Sequence, residues 1–127
     1  MDKILLVEDD NALIDIYTII FTKYNFTIEV AENGQECLDK VKDFQPDLIL
    51  LDIMMPVMNG LQVLEKLKQD PQTNNIPVIM LSNIAETKEE TKAIDLGALQ
   101  YLVKSQYLPN EIVNIVKEAL TRQRLHV

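Results

Sequence analysis

Short apolar runs recur along this chain, and stretches with helical spacing separate them. Lys3-Ile4-Leu5-Leu6-Val7 is the first run, apolar without a break after Lys3, as in a strand buried on both faces. Leu13, Ile16, Tyr17, Ile20, Phe21 and Tyr24 then recur at three- and four-residue intervals, which predicts an amphipathic helix with these residues in the core. Thr27 to Ala31 alternates and is rich in β-branched residues, so it reads as a second strand. Asn33-Gly34 reads as a turn, and Cys37, Leu38 and Val41 mark a short helix stopped by Pro46. Asp47 to Leu51 is a third strand, followed by a loop from Asp52 to Gly60 that Pro56 and Asn59-Gly60 punctuate. Leu61, Leu64 and Leu67 carry the next helix, and Pro77 to Leu81 is a fourth strand. Glu86 to Leu96 is a charged, weakly amphipathic helix closed by Gly97. Gln100 to Val103 is a short fifth strand, and Pro109 opens a last helix with Ile112, Val113, Val116 and Leu120 facing inward.

Strands that alternate with helices imply a parallel sheet with right-handed crossovers and helices on both faces. The unbroken apolar strands (first, third and fourth) belong in the middle of such a sheet, and the alternating second and short fifth belong at its edges. The expected fold is therefore α/β: a flavodoxin-like, doubly wound, five-stranded parallel sheet of order 2-1-3-4-5 in a three-layer α/β/α sandwich. Ligands of such sheets bind beyond the carboxyl ends of the strands where the order reverses, here between strands one and three.

A chain of 127 residues suffices for one domain, expected to span 1–127 with its core from about 3 to 120 and a terminal tail or truncated linker after it. Its formal net charge of −8 repels phosphate backbones, so direct nucleic-acid binding is not expected, whereas a cation suits it. No apolar run approaches the roughly 20 residues of a membrane helix, and Met1-Asp2-Lys3 carries no signal-peptide pattern. The single cysteine, Cys37, excludes an intrachain disulfide, fits a reducing cytoplasm, and reads as a core filler. Met55 and Met58 read as loop packing, and His126 as a solvated terminal residue.

Polar residues follow directly on four of the strands: Glu8-Asp9-Asp10 after the first, Asp52 after the third, Ser82-Asn83 after the fourth and Lys104-Ser105 after the fifth. The topology crowds them on one rim. Glu8, Asp9 and Asp52 then form a set of like charges that destabilise the site, and a divalent hard cation relieves the repulsion. Mg²⁺ suits such a site, with one or two carboxylates, phosphate oxygens and retained waters as ligands. A carboxylate beside it can act as a nucleophile toward a phosphoryl group. Phosphoryl transfer needs mainly positioning and charge neutralisation, to which Lys104 contributes a compact cation and Ser82 a hydroxyl donor.

Five features, in this order, resemble the receiver domain of two-component response regulators: Ile4-Leu5-Leu6-Val7-Glu8-Asp9-Asp10, the run Asp52-Ile53-Met54-Met55-Pro56-Val57-Met58-Asn59-Gly60, Ser82, Gly97-Ala98, and Tyr101-Leu102-Val103-Lys104. The resemblance covers essentially Lys3 to Leu120. It implies that Asp52 is the phosphoacceptor, Asp9 a direct metal ligand, Glu8 an acid that holds the metal through water, and the Met54 backbone carbonyl a further ligand. It implies Mg²⁺ as cofactor, with Mn²⁺ able to substitute. Lys104 would pair with the phosphoryl group, Ser82 would be the switch hydroxyl and Tyr101 the aromatic rotamer switch, while Asp10 falls at a variable or helix N-cap position. The partners it implies are a sensor histidine kinase or histidine phosphotransfer protein upstream, and an output domain or partner downstream. The latter would be reached through the face of the fourth helix, fifth strand and fifth helix, a face that also suits a homodimer.

Three departures from the family pattern stand out. Ser105 replaces the proline that usually follows the lysine in a cis peptide; without proline the cis form costs about 2.5–4 kcal/mol, which favours trans. Asn83 is larger than the usual residue beside the phosphoryl pocket. Met54 and Ile84 fall where the family tunes phosphoryl lifetime, and apolar side chains there cannot orient an attacking water, which implies slow self-dephosphorylation. Three rivals exist. An FMN protein of the same sheet order needs a Ser/Thr/Gly phosphate loop where this chain has Glu8-Asp9-Asp10-Asn11. A Mg²⁺ phosphohydrolase matches only the spacing of Glu8 and Asp10, with no following Thr. A pseudo-receiver that acts as a phosphorylation-independent interaction module is opposed by the intact acid set.

Overall fold

Every strand and helix in that order forms. The computed structural model describes residues 2–55, 58–83, 85 and 87–125; Pro56, Ile84, Glu86 and His126, singled out above, lie outside the described residues. The elements are β1 (Lys3–Val7), α1 (Asn11–Lys23), β2 (Thr27–Ala31), α2 (Gly34–Phe44), β3 (Leu48–Asp52), α3 (Gly60–Gln69), β4 (Val78–Ser82), α4 (Thr87–Asp95), β5 (Gln100–Val103) and α5 (Pro109–Leu125). The strands form one parallel sheet in the order β2-β1-β3-β4-β5. Successive residues of the central strands feed opposite faces, as the two-residue period of a strand requires. Leu5, Val7, Ile49, Leu51 and Met80 pack with residues of α2 and α3, whereas Ile4, Leu6, Leu48, Leu50, Ile79 and Leu81 pack with α1 and α5. Among the described residues no helix is long and apolar enough to cross a membrane.

The register aligns the strand tips. Val7 lies opposite Leu51, Asp52 opposite Leu81, and Ser82 opposite Val103. β3 and β4 each run one residue later than the sequence reading placed them, so Asp52 and Ser82 are the last paired residues of their strands and not the first of their loops.

Asn33-Gly34, expected as a turn, and Asn59-Gly60, expected as loop punctuation, instead start helices. Asn33 caps α2 by accepting the Glu36 N–H at 2.9 Å. Asn59 caps α3 and exchanges hydrogen bonds with Gln62 in a full capping box. The glycines that follow are needed for room. A Cβ on Gly60 would lie 2.3 Å from the Asp52 carbonyl oxygen, and one on Gly34 2.5 Å from a Val63 methyl. Gly97 closes α4 as expected, with a φ of 109° that favours glycine.

Two expected core residues point outward. Ile16 is 44% exposed, at the margin of the stripe of α1 that buries Tyr17 and Phe21. Tyr24 is the C-cap of α1, 37% exposed, with the Lys117 ammonium 4.4 Å from its ring centroid. After β5 the chain forms a 3-10 turn over Lys104–Gln106 that has no counterpart in the sequence reading. The Lys104–Ser105 peptide within it is trans.

Candidate functional site

The tips of β1 and β3 bring the acids together. One carboxylate oxygen from each of Glu8, Asp9 and Asp52 lies within 4.8 Å of the other two. Glu8 and Asp52 are buried, at 1% and 3% exposure, and Asp9 is exposed to solvent. Asp10, at the end of the same acidic run, serves the helix instead: its side chain accepts the N–H groups of Ala12 and Leu13 and caps α1.

Lys104 enters from the end of β5. Its ammonium lies 2.6 Å from Glu8 Oε1 and 3.4 Å from Asp52 Oδ2. The second Glu8 oxygen accepts the backbone N–H groups of Asp9 at 3.1 Å and Asp10 at 3.3 Å. Asp52 Oδ1 accepts the Met54 N–H at 3.3 Å. Ser82, fully buried, ends β4 one strand away from Asp52, and its neighbour Asn83 is exposed. Tyr101, half-buried on β5, packs against the apolar layer beneath α2 and α3. The Met54 side chain is exposed.

These surroundings act on Asp52 in opposite directions. Burial pushes its pKa up most strongly, the Lys104 ammonium pulls it down, the charge of Glu8 and a hydrogen bond with it push it up again, and the Met54 N–H lowers it. The balance is a value raised to about 7. Tyr17 on α1 is pushed up to about 12 by burial, then by the charges of Glu8 and Asp52. Cys37 is buried and pushed up to about 12 by burial alone, as a packing residue.

The donor set fits a small hard dication. Among the described residues three carboxylates gather here and one ammonium pairs with two of them, all the donors are oxygens, and two of the three acids are buried, so the site is short of positive charge. The site also lies at the carboxyl ends of β1 and β3, where the strand order reverses.

The family model for the response regulator receiver domain matches residues 4–117. The chain belongs to that family. Relatives of this receiver include a probable transcriptional regulator, ycf29, of Pyropia yezoensis, 37% identical over 97% of this chain and 55% of the relative. Another is the DNA-binding response regulator MtrA of Mycolicibacterium paratuberculosis, 34% identical over 94% of this chain and 52% of the relative. The receiver thus spans about half the length of these curated relatives. Among solved structures, a CheY-like response regulator receiver domain from Methanospirillum hungatei JF-1 superposes with a TM-score of 0.92 at 28% identity, over 100% of this chain and 99% of that one.

Sequence reasoning placed Glu8, Asp9, Asp52 and Lys104 on one rim; the structure gathers the three carboxylates within 4.8 Å of one another and sets Lys104 against Glu8 and Asp52. It did not show that the closest partner of Lys104 is Glu8, nor that α3 presses on the backbone of Asp52 through Gly60. The second point had a signal, a glycine directly after a capping asparagine. The first had none, since 96 residues separate the pair.

Proposed function

We propose that this receiver takes a phosphoryl group onto Asp52 from a phosphohistidine of a sensor histidine kinase or histidine phosphotransfer protein. The observation that carries the reading is a buried carboxylate at the tip of a central strand, held among Glu8, Asp9 and the Lys104 ammonium. Mg²⁺, or Mn²⁺ in its place, would be held by Glu8, Asp9, Asp52 and the Met54 carbonyl, and when bound would neutralise charge on the transferring group. An ionised Asp52 oxygen attacks phosphorus; the P–O bond forms as the P–N bond to imidazole breaks, and the imidazole leaves with its electron pair. Lys104 donates to the phosphoryl oxygens, and so does the Ser82 hydroxyl. Tyr101 then moves toward the space Ser82 vacates, which biases the α4–β5–α5 face between two states read by an output domain, a downstream partner or a second copy. The domain, with its core at about 3–120, works in the cytoplasm as a switch. It promotes its own phosphorylation and does not turn over a substrate.

Asp52→Asn should abolish uptake. On incubation with a small acyl phosphate and Mg²⁺, intact mass should show one added phosphoryl group on the wild type and none on the variant. Uptake by the variant would reject Asp52 as the acceptor. No uptake by the wild type would leave a phosphorylation-independent interaction module as the better reading.

The phosphoryl group should also persist. Met54 presents an apolar side chain to solvent beside the acceptor and cannot orient water for attack. After removal of phosphodonor, mass spectrometry should show the phosphoryl group retained; decay in seconds would contradict this.

A further inference from the structure

We infer that Glu8, apart from any part it has at the metal, is the residue that positions Lys104 for the phosphoryl group. Both oxygens of its buried carboxylate are engaged by protein donors. Oε2 accepts two backbone N–H groups at the bend after β1, which fixes the carboxylate to rigid main chain. Oε1 then meets Lys104 at 2.6 Å, clearly closer than the 3.4 Å from Lys104 to Asp52. An ammonium has three donors. With one held by Glu8, two remain for the side of Asp52 where phosphoryl oxygens would sit. The chain after Lys104 turns through Ser105 and Gln106 without a proline ring. A buried carboxylate of 1% exposure also cannot give up its cation cheaply, so the pairing persists in the resting protein.

Part of the test needs no phosphoryl chemistry. In ¹⁵N-lysine-labelled, Mg²⁺-free protein, an ammonium held this way exchanges slowly and gives an observable ¹H–¹⁵N signal, assigned by its loss in Lys104→Met. That signal should vanish in Glu8→Gln, survive in Asp52→Asn, and return, shifted, in Glu8→Asp. Its absence from the wild type, its survival in Glu8→Gln, or its loss in Asp52→Asn would each overturn the inference, whatever the fate of Asp52 as acceptor. The backbone amide spectrum reports whether each variant folds, and Glu8→Asp keeps the charge should Glu8→Gln not fold. The kinetic arm rests on the proposed phosphotransfer. At saturating Mg²⁺, Glu8→Gln should slow uptake from a small phosphodonor about tenfold, and the Glu8→Gln/Lys104→Met double variant should be no slower than Lys104→Met alone. Multiplying effects, or full recovery of Glu8→Gln on raising Mg²⁺, would assign Glu8 to the metal only and reject the positioning role.

Discussion

Gly60→Ala is expected to destabilise the receiver by about 3 kcal/mol or more and to weaken phosphoryl uptake as well. The first residue of α3 lies directly against the main chain of Asp52 and Ile53: the Gly60 N–H donates to the Ile53 carbonyl at 2.8 Å. An added Cβ would fall 2.3 Å from the Asp52 carbonyl oxygen, 2.7 Å from Ile53 Cα and 3.0 Å from the Asp52 carbonyl carbon. All three are backbone atoms of a buried central strand and its exit, so no rotamer change relieves the overlap. Either α3 or the tip of β3 must move, and the tip carries Asp52. Gly34→Ala is the informative comparison. Its nearest neighbour is a side-chain methyl of Val63 at 2.5 Å, which a small repacking of α3 can displace, so it should cost less. Urea unfolding of the three proteins measures this order. A Gly60→Ala midpoint within about 0.3 M of wild type would show that the strand tip yields easily.

The same contact shows where sequence reasoning stopped. Element order and strand order were legible because continuous apolar runs and helical spacing are local properties. Ile4 to Val7 and Leu48 to Leu51 can hardly be anything but central strands. Helix starts were harder. Asn33-Gly34 and Asn59-Gly60 carry a turn signature, yet Glu36 and Gln62 stand three residues after each asparagine, the spacing that completes a cap. That pattern outweighs the dipeptide. The strand ends shifted by one residue because Asp52 and Ser82 are polar, and a polar residue reads as a loop until its ladder partners, Leu81 and Val103, are known. The acids were found from their places after apolar runs. The pairing of Lys104 with Glu8 was not, because it depends on side-chain reach across the rim from β5 to β1.

In Mg²⁺-free buffer, Asp52→Asn should be more stable than the wild type near pH 8, and the difference should shrink on acidification. Asp52 titrates near its ordinary 3.8 in the unfolded chain and at about 7 in the folded one. Between these values the folded state holds a proton that the unfolded state has released, so stability falls as pH rises through this window. Above about pH 7 the full penalty applies: an ionised carboxylate, 3% exposed, beside Glu8 and only partly compensated by Lys104. The full shift corresponds to about 4 kcal/mol, or roughly 10–20 °C in melting temperature for a domain of this size. Asparagine keeps the shape and drops the charge, so it escapes the penalty at pH 8, while near pH 4 both proteins carry a neutral group there and should melt together. Added Mg²⁺ should stabilise the wild type more than the variant and narrow the gap at pH 8, because a ligand that binds the folded state stabilises it in proportion to its affinity. Thermal unfolding at both pH values, with chelator and with Mg²⁺, tests each arm. Equal melting points at pH 8 in chelator would mean that burial and the charge of Glu8 impose no net penalty on an ionised Asp52, and the physical reason for a cation at this rim would be gone.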